Sequence, residues 1–193
     1  MGIEFELKFL ATPQQQEAVR AAFSGPEQHY RMQTTYYDTP SGAMSARMYT
    51  LRRRIENDSS VCTLKTPVGD ISRREYEVNS PTIEAALPAL CSLSGIPELP
   101  ELFREGLVPV CGAAFNRIAK TVCLQNCTVE LALDEGILTG GGKEIPLCEI
   151  EVELKEGDRN TAVAFATQLS IAYGLKQERK SKFARAQALA KGE

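Results

Sequence analysis

Residues 149–155 read EIEVELK, with a charged side chain at every odd position and an aliphatic one at every even position. Successive side chains of an extended chain point to opposite faces, so this stretch is a strand with one apolar face and one face carrying Glu149, Glu151, Glu153 and Lys155. The same alternation recurs along the sequence. Glu4, Glu6 and Lys8 share a face against Ile3, Phe5, Leu7 and Phe9; Arg52 stands with Arg54, Lys65 follows on the next strand, and Glu75 and Glu77 on the one after. Arg117, then Glu130 and Asp134, complete the series. The chain therefore folds into a sheet with one face buried and the other collecting ions of both signs.

Carboxylates two residues apart on a strand lie roughly 7 Å apart, which at an effective dielectric of about 20 is a repulsion of about 2.4 kcal/mol per pair. A solvated outer face screens that repulsion and explains any one of these strands alone. It does not explain why nearly every strand contributes ions at alternate positions. The apolar partners need a cover on their own side, which helices supply from outside a curved sheet. If that sheet closes, the charges line its interior, and a polyanion with divalent cations accounts for both signs: arginine and lysine neutralise phosphate oxygens, and carboxylates hold the metal.

Period-two patterning predicts strands at 2–10, 47–57, 60–66, 73–79, 115–124, 127–135 and 147–156, with a weaker candidate at 28–38. Thr12-Pro13 predicts a helix start that runs to about Ser24-Gly25-Pro26. Further helices are expected at 82–94, around 98–106, from the Asp158 cap to Gly174, and at about 180–190. Residues 57–60 and 136–145 read as hairpin turns. The expected class is α+β, with seven or eight strands and helices covering the apolar face of the sheet.

At 193 residues, with 43% hydrophobic and 24% charged residues, the chain is a single globular domain, 1–193. The N-terminus opens on charge and no apolar run approaches the roughly 20 residues of a bilayer span, so no membrane partner and a cytoplasmic location are expected. A net charge of -3 argues against a nucleic-acid partner. The six cysteines form no CxxC pair and read as reduced core thiols, Cys148 facing outward with Ile150. The single histidine, His29, has no motif around it for nucleophilic catalysis, and GGGK at 140–143 lacks the spacing of a phosphate loop.

In chain order, EFELK at 4–8, YYDTP at 36–40, LRRR at 51–54, TLK at 63–65, RREYE at 73–77, Arg117, ELALDEG at 130–136, EIEVELKEG at 149–157 and SKF at 181–183 resemble the triphosphate tunnel metalloenzymes, the CYTH family, over residues 3 to about 185. The resemblance implies a closed eight-stranded antiparallel β-barrel, a tunnel with helices packed on its outside, that binds triphosphate by basic side chains and Mg²⁺ or Mn²⁺ by acidic ones. By position it points to Glu4, Glu6, Glu151 and Glu153 as metal ligands, with Glu149 beside them. Lys8, Arg52, Arg54, Lys65, Arg117 and Lys182 are expected on phosphate, with Arg73 favoured over Arg74 by parity with Glu75. Glu75, Glu77, Glu130 and Asp134 form a second tier that contacts a second metal or orients the basic groups. No appended CHAD helical domain is expected, and the assembly is a monomer or homodimer.

The implied function is metal-dependent hydrolysis of the terminal phosphate of inorganic triphosphate or a related linear triphosphate, closest in type to the bacterial inorganic triphosphatases. The absence of tryptophan, and of an evident stacking site for a base or thiazole, favours the inorganic substrate. Cyclisation of ATP by a class IV adenylyl cyclase, thiamine triphosphate hydrolysis, and binding of polyphosphate or a nucleotide without turnover are the alternatives. Tyr36, Tyr37 and Asp38 are candidates for the tunnel mouth or for cross-strand packing.

Overall fold

The computed structural model describes residues 2–68 and 72–193, with the side chains of Gly2 and Ile3 left aside. The expected place of Ile3 on the apolar face thus lies outside the described residues. Among the described residues the chain runs β1 (Gly2–Glu4), β2 (Glu6–Leu10), α1 (Pro13–Ala22), β3 (Gln28–Asp38), α2 (Ala43–Ala46), β4 (Thr50–Glu56), β5 (Ser59–Val68) and β6 (Ser72–Asn79). It continues with α3 (Ile83–Ser94), α4 (Leu99–Arg104), β7 (Val108–Cys123), β8 (Cys127–Gly140), β9 (Lys143–Gly157), α5 (Arg159–Tyr173), β10 (Lys176–Glu178) and α6 (Lys182–Lys191).

The strands form one antiparallel sheet in the order β1-β6-β5-β4-β3-β7-β8-β9-β2-β10. There are ten strands rather than eight, because Phe5 divides the N-terminal strand and Lys176–Glu178 adds a short one. This order is open, from β1 to β10, so the pairing establishes a large antiparallel sheet and not a closed barrel. The two halves of the N-terminal strand nevertheless pair at opposite ends of it: β1 with β6, and β2 with β9.

Helix ends follow their sequence signals. Thr12 closes a capping box with Gln15 ahead of Pro13, Asp158 accepts from Thr161 N at 2.8 Å, and Ser181 accepts from Ala184 N at 3.1 Å. The expected turn at 136–145 contracts to Gly141-Gly142, both at positive φ (58° and 74°), since GILTG and KEI carry the ladder on either side.

Two hydrophobic cores lie on the apolar face. Phe9, Leu131, Leu133, Ile150 and Val152 pack with Val19 of α1 and Ala162, Ala166 and Leu169 of α5. Leu51, Cys62, Leu64 and Tyr76 pack with Ile83, Ala86 and Leu90 of α3. The third core is on the other face. Met32, Tyr36, Phe115, Leu138 and Leu147, all in phase with the charged positions of their strands, bury Phe183 and Ala186 of α6. Phe183 meets Tyr36 with ring centroids 5.1 Å apart, and its burial contributes roughly 1.5–3 kcal/mol. Not every helix therefore covers the sheet from outside: α6 docks on the charged face, because the sheet there offers an apolar strip beside the ions. The strip accepts backbone closely, since a Cβ added at Gly140 would lie 2.3 Å from Ala186 O.

Candidate active site

The register explains how the charges meet. Arg117, Asp134 and Glu149 lie in one cross-strand row of β7, β8 and β9, and Lys8 and Glu151 face each other on β2 and β9. Asp134 and Glu149 are 0% exposed, and carboxylate oxygens of Asp134, Glu149 and Glu151 lie within 4.8 Å of one another. Three buried carboxylates so close need counter-charge. Lys182, at the first position of α6, supplies it, with Nζ 2.7 Å from Asp134 Oδ2 and 2.8 Å from Glu151 Oε1 and a further bond to Glu149. Arg117 donates to both oxygens of Asp134 at 2.7 Å and also to Glu151, and Arg185 donates to Glu149.

Three acids thus face three cations in the deepest part of the charged face. Burial pushes the Glu149 carboxyl up, against the pull of Lys182. Burial acts the same way on Glu151, but Lys182, Arg117 and Lys8 outweigh it and hold that carboxyl well below its usual range. Burial lowers the Lys182 ammonium, yet Asp134, Glu151 and Glu149 together raise it above its ordinary value.

A second group is more open. Glu6, Glu153 and Glu130 form a row of three carboxylates across β2, β9 and β8. Lys8 Nζ sits 2.7 Å from Glu6, and Lys155 Nζ lies 2.9 Å from Glu153 and 3.6 Å from Glu130. Burial raises the Glu153 carboxyl, despite Lys155. Across the N-terminal strand, Lys65 bonds Glu4 at 2.6 Å and pairs with Glu75, whose Oε1 lies 3.8 Å from Arg52. Glu77 accepts from Thr63 at 3.1 Å. Arg73 shares Glu4's register, as parity required, but its guanidinium donates to the Met48 carbonyl at 2.7 Å.

Arg52 and Arg54 are adjacent on the same face of β4, and each has a buried Nε without a hydrogen-bond partner among the described residues. Burial and the charge of Arg52 lower the Arg54 guanidinium from its usual value, although Arg54 also pairs with Glu56. Two guanidinium groups thus stand side by side on this face, each with an Nε donor not used by another described residue.

The expected metal ligands do not all converge. Glu149 and Glu151 belong to the deep ion-pair group; Glu4, Glu6 and Glu153 belong to the open one. Of the aromatics, Tyr36 packs on Phe183 and Tyr37 packs on the apolar face, while Asp38 accepts from Met44 N at 2.9 Å and from Ser45 N at 3.1 Å, fixing α2. His29 is exposed, 3.2 Å from Glu27. Arg185 was missed by the reading of the sequence. Its signal was spacing: it stands three residues after Lys182, on the same helix face.

The CYTH domain model matches residues 2–186. The chain belongs to the CYTH domain family. An inorganic triphosphatase of Haemophilus influenzae is 35% identical over an alignment of 163 residues that covers 80% of this chain and 46% of that protein. The CYTH chain thus spans about half the length of that curated relative. Its fold is shared with the PH1819 protein of Pyrococcus horikoshii OT3, at a TM-score of 0.64 and 23% identity, covering 98% of this chain and 99% of the other. A Hippeastrum protein, described as a putative adenylyl cyclase with a dominant triphosphatase activity, has the same fold at a TM-score of 0.61 and 19% identity, covering 100% and 97%. Among the described residues, no helix is long and apolar enough to cross a membrane.

Proposed function

We propose that the chain is a metal-dependent triphosphatase that hydrolyses the terminal phosphate of inorganic triphosphate or a related linear triphosphate. The observation that carries this reading is the pair of buried guanidinium Nε groups of Arg52 and Arg54, without hydrogen-bond partners among the described residues, on the face that also presents Glu4, Glu6 and Glu153. The name of the Haemophilus influenzae relative supports the same chemistry. In this reading 1–193 is a single domain and its sheet wraps into a tunnel, the N-terminal strand bridging β6 through Gly2–Glu4 and β9 through Glu6–Leu10.

The substrate's phosphates lie against Arg52, Arg54 and Arg117, with Lys8, Lys65 and Lys182 completing the basic set. Arg117 is fixed through Nε and Nη2 by the deep carboxylates, so its remaining donors meet a phosphate without reorganising, and donors held in place stabilise the charge that develops in phosphoryl transfer; Lys182, in contact with all three deep carboxylates, reaches a phosphate by releasing one of them. Asp134, Glu149 and Glu151 orient these cations. Arg73 contributes at the edge.

Among the described residues only Asp134, Glu149 and Glu151 bring carboxylate oxygens within 4.8 Å of one another, and Lys182, Arg117 and Arg185 already neutralise them, so the reading gives the divalent cation to the open group. Its donors are all carboxylate oxygens, and Glu153 and Glu130 share the single ammonium of Lys155, which leaves acid in excess. Glu4, Glu6 and Glu153 would hold Mg²⁺ or Mn²⁺, with Glu130 beside them. When bound, such an ion supplies Lewis-acid polarisation of a phosphoryl oxygen and activation of water. Glu75 and Glu77 set Lys65 and Thr63 at the rim of the arginine pair.

The test is a comparison of kcat/KM for inorganic triphosphate, ATP and thiamine triphosphate with each metal, following phosphate and cyclic AMP. Phosphate release, highest on inorganic triphosphate, is expected. Cyclic AMP as the main product assigns the cyclase reaction instead. Tight triphosphate binding with no product would refute catalysis.

A further inference from the structure

Arg185 uses its guanidinium differently from Arg117. Arg117 grips Asp134 with two donors, Nε on one oxygen and Nη2 on the other. Arg185 does not hold Glu149 that way: Lys182 bonds Glu149 Oε1, and Arg185 Nη2 bonds Oε2. The Arg185 Nε is buried and has no hydrogen-bond partner among the described residues. A buried donor without an acceptor is destabilising and calls for a reason. Among the described residues, the buried side-chain nitrogens in this condition are the Nε atoms of Arg52, Arg54 and Arg185, and all three side chains belong to the charged face.

The contacts place Arg185 in the same surroundings as the other two. It follows Lys182 by one turn of α6, and Glu149 joins the two side chains. Lys182 in turn shares Asp134 and Glu151 with Arg117. Burial, then the charge of Arg52 and then that of Arg117 lower the Arg54 guanidinium, so the arginines of β4 lie close to that cluster. We propose that Arg185 is a phosphate ligand: Glu149 holds it by Nη2, and its Nε meets an oxygen of the triphosphate that Arg52 and Arg54 bind from β4. The proposal rests on the assignment of a triphosphate to the charged face, and adds a contact to it from a helix. The edge of a guanidinium carrying Nε matches the oxygens of a phosphate, and the bound anion joins α6 to the sheet. Glu149 then serves to aim Arg185.

The test is binding of inorganic triphosphate to the full chain, by calorimetry with a chelator present so that no metal is bound. Wild type is compared with Arg185→Met combined with Glu149→Gln, which removes one charge of each sign and leaves the net charge of the site unchanged. Lys191→Met, at the exposed end of the same helix, is the control, and circular dichroism checks folding. The double variant should bind about 10- to 100-fold more weakly, the range of a hydrogen bond between charged groups, and Lys191→Met should match wild type. Arginine side-chain NMR reads the same contact in the wild-type protein. The Arg185 Nε–H signal, assigned by its loss in Arg185→Lys, should shift and exchange more slowly with water when triphosphate is added. Wild-type affinity in the folded double variant, or an Arg185 Nε–H signal that triphosphate leaves unchanged, overturns the proposal and makes Arg185 a counter-ion of Glu149 alone. No triphosphate binding by wild type removes the assignment of the anion to the charged face, and the role of Arg185 with it.

Discussion

Replacing Lys182 by methionine keeps the length and apolar stem of the side chain and removes one charge from among three carboxylates. Asp134, Glu149 and Glu151 have oxygens within 4.8 Å of one another. At that distance and an effective dielectric of about 20, each ionised pair repels by about 3.5 kcal/mol. Arg117 remains on Asp134 and Glu151 and Arg185 on Glu149, so the repulsion is only partly released and the carboxylates partly reprotonate. The expected loss is that of a buried ion pair broken on one side, about 3–5 kcal/mol at pH 7.5, measured by urea unfolding. Lys182→Met combined with Glu149→Gln removes one of the stranded charges and should recover part of the loss. A loss below about 1 kcal/mol, the size of a surface pair, would refute the reading that Lys182 is a structural keystone of the deep group as well as a phosphate ligand.

Gly140→Ala places a methyl 2.3 Å from Ala186 O and 2.9 Å from Ala190 N, both backbone atoms. We expect α6 to shift and carry Lys182 with it, raising KM for triphosphate by about tenfold, as a 1 Å misplacement at a phosphate-binding group can do; steady-state kinetics reads this out. A different part of the surface gives a pH prediction. The hydrogen bond from Arg20 holds the Glu27 carboxyl down to about 2, from an ordinary 4.5. A folded-state value below the unfolded one stabilises above the unfolded value and is lost as pH falls through the folded one. Glu27→Gln should therefore be less stable than wild type at pH 6, with the gap closing between pH 4.5 and about 2 in unfolding curves at each pH.

Much of the sheet was legible because charge alternated with aliphatic side chains. β2, β4, β6, β8 and β9 each show it, and the lining residues Glu4, Arg52, Arg54, Lys65 and Glu75 follow from parity. β3 was weaker since Thr34-Thr35-Tyr36-Tyr37 presents similar chemistry to both faces, one packing on α6 and the other on α2 and α3. The first half of β7, VPVCGAA, does not alternate, for its small residues suit both the close approach of neighbouring strands and the strip under α6. The side on which α6 docks was not legible. Helical periodicity says which residues share a face; it does not say whether Lys182, Phe183, Arg185 and Ala186 meet an apolar sheet or a charged one. The grouping of the carboxylates has the same origin. Parity places Glu149, Glu151 and Glu153 on one face, while only the arrival of α6 divides them into two that hold buried cations and one, Glu153, that pairs with the more exposed Lys155.

The measurement that tests the central claim most directly is phosphate release from inorganic triphosphate with Mg²⁺ or Mn²⁺, comparing wild type with Glu4→Gln plus Glu6→Gln. The two substitutions keep shape and hydrogen-bonding capacity while removing charge from the open group. Wild type should release phosphate only with the divalent cation present, and the variant should fall by at least about 10³-fold while staying folded, as expected when groups that stabilise the transition state are removed. Equal rates in the two proteins, or a wild-type rate unaffected by chelator, would contradict a metal held by these carboxylates.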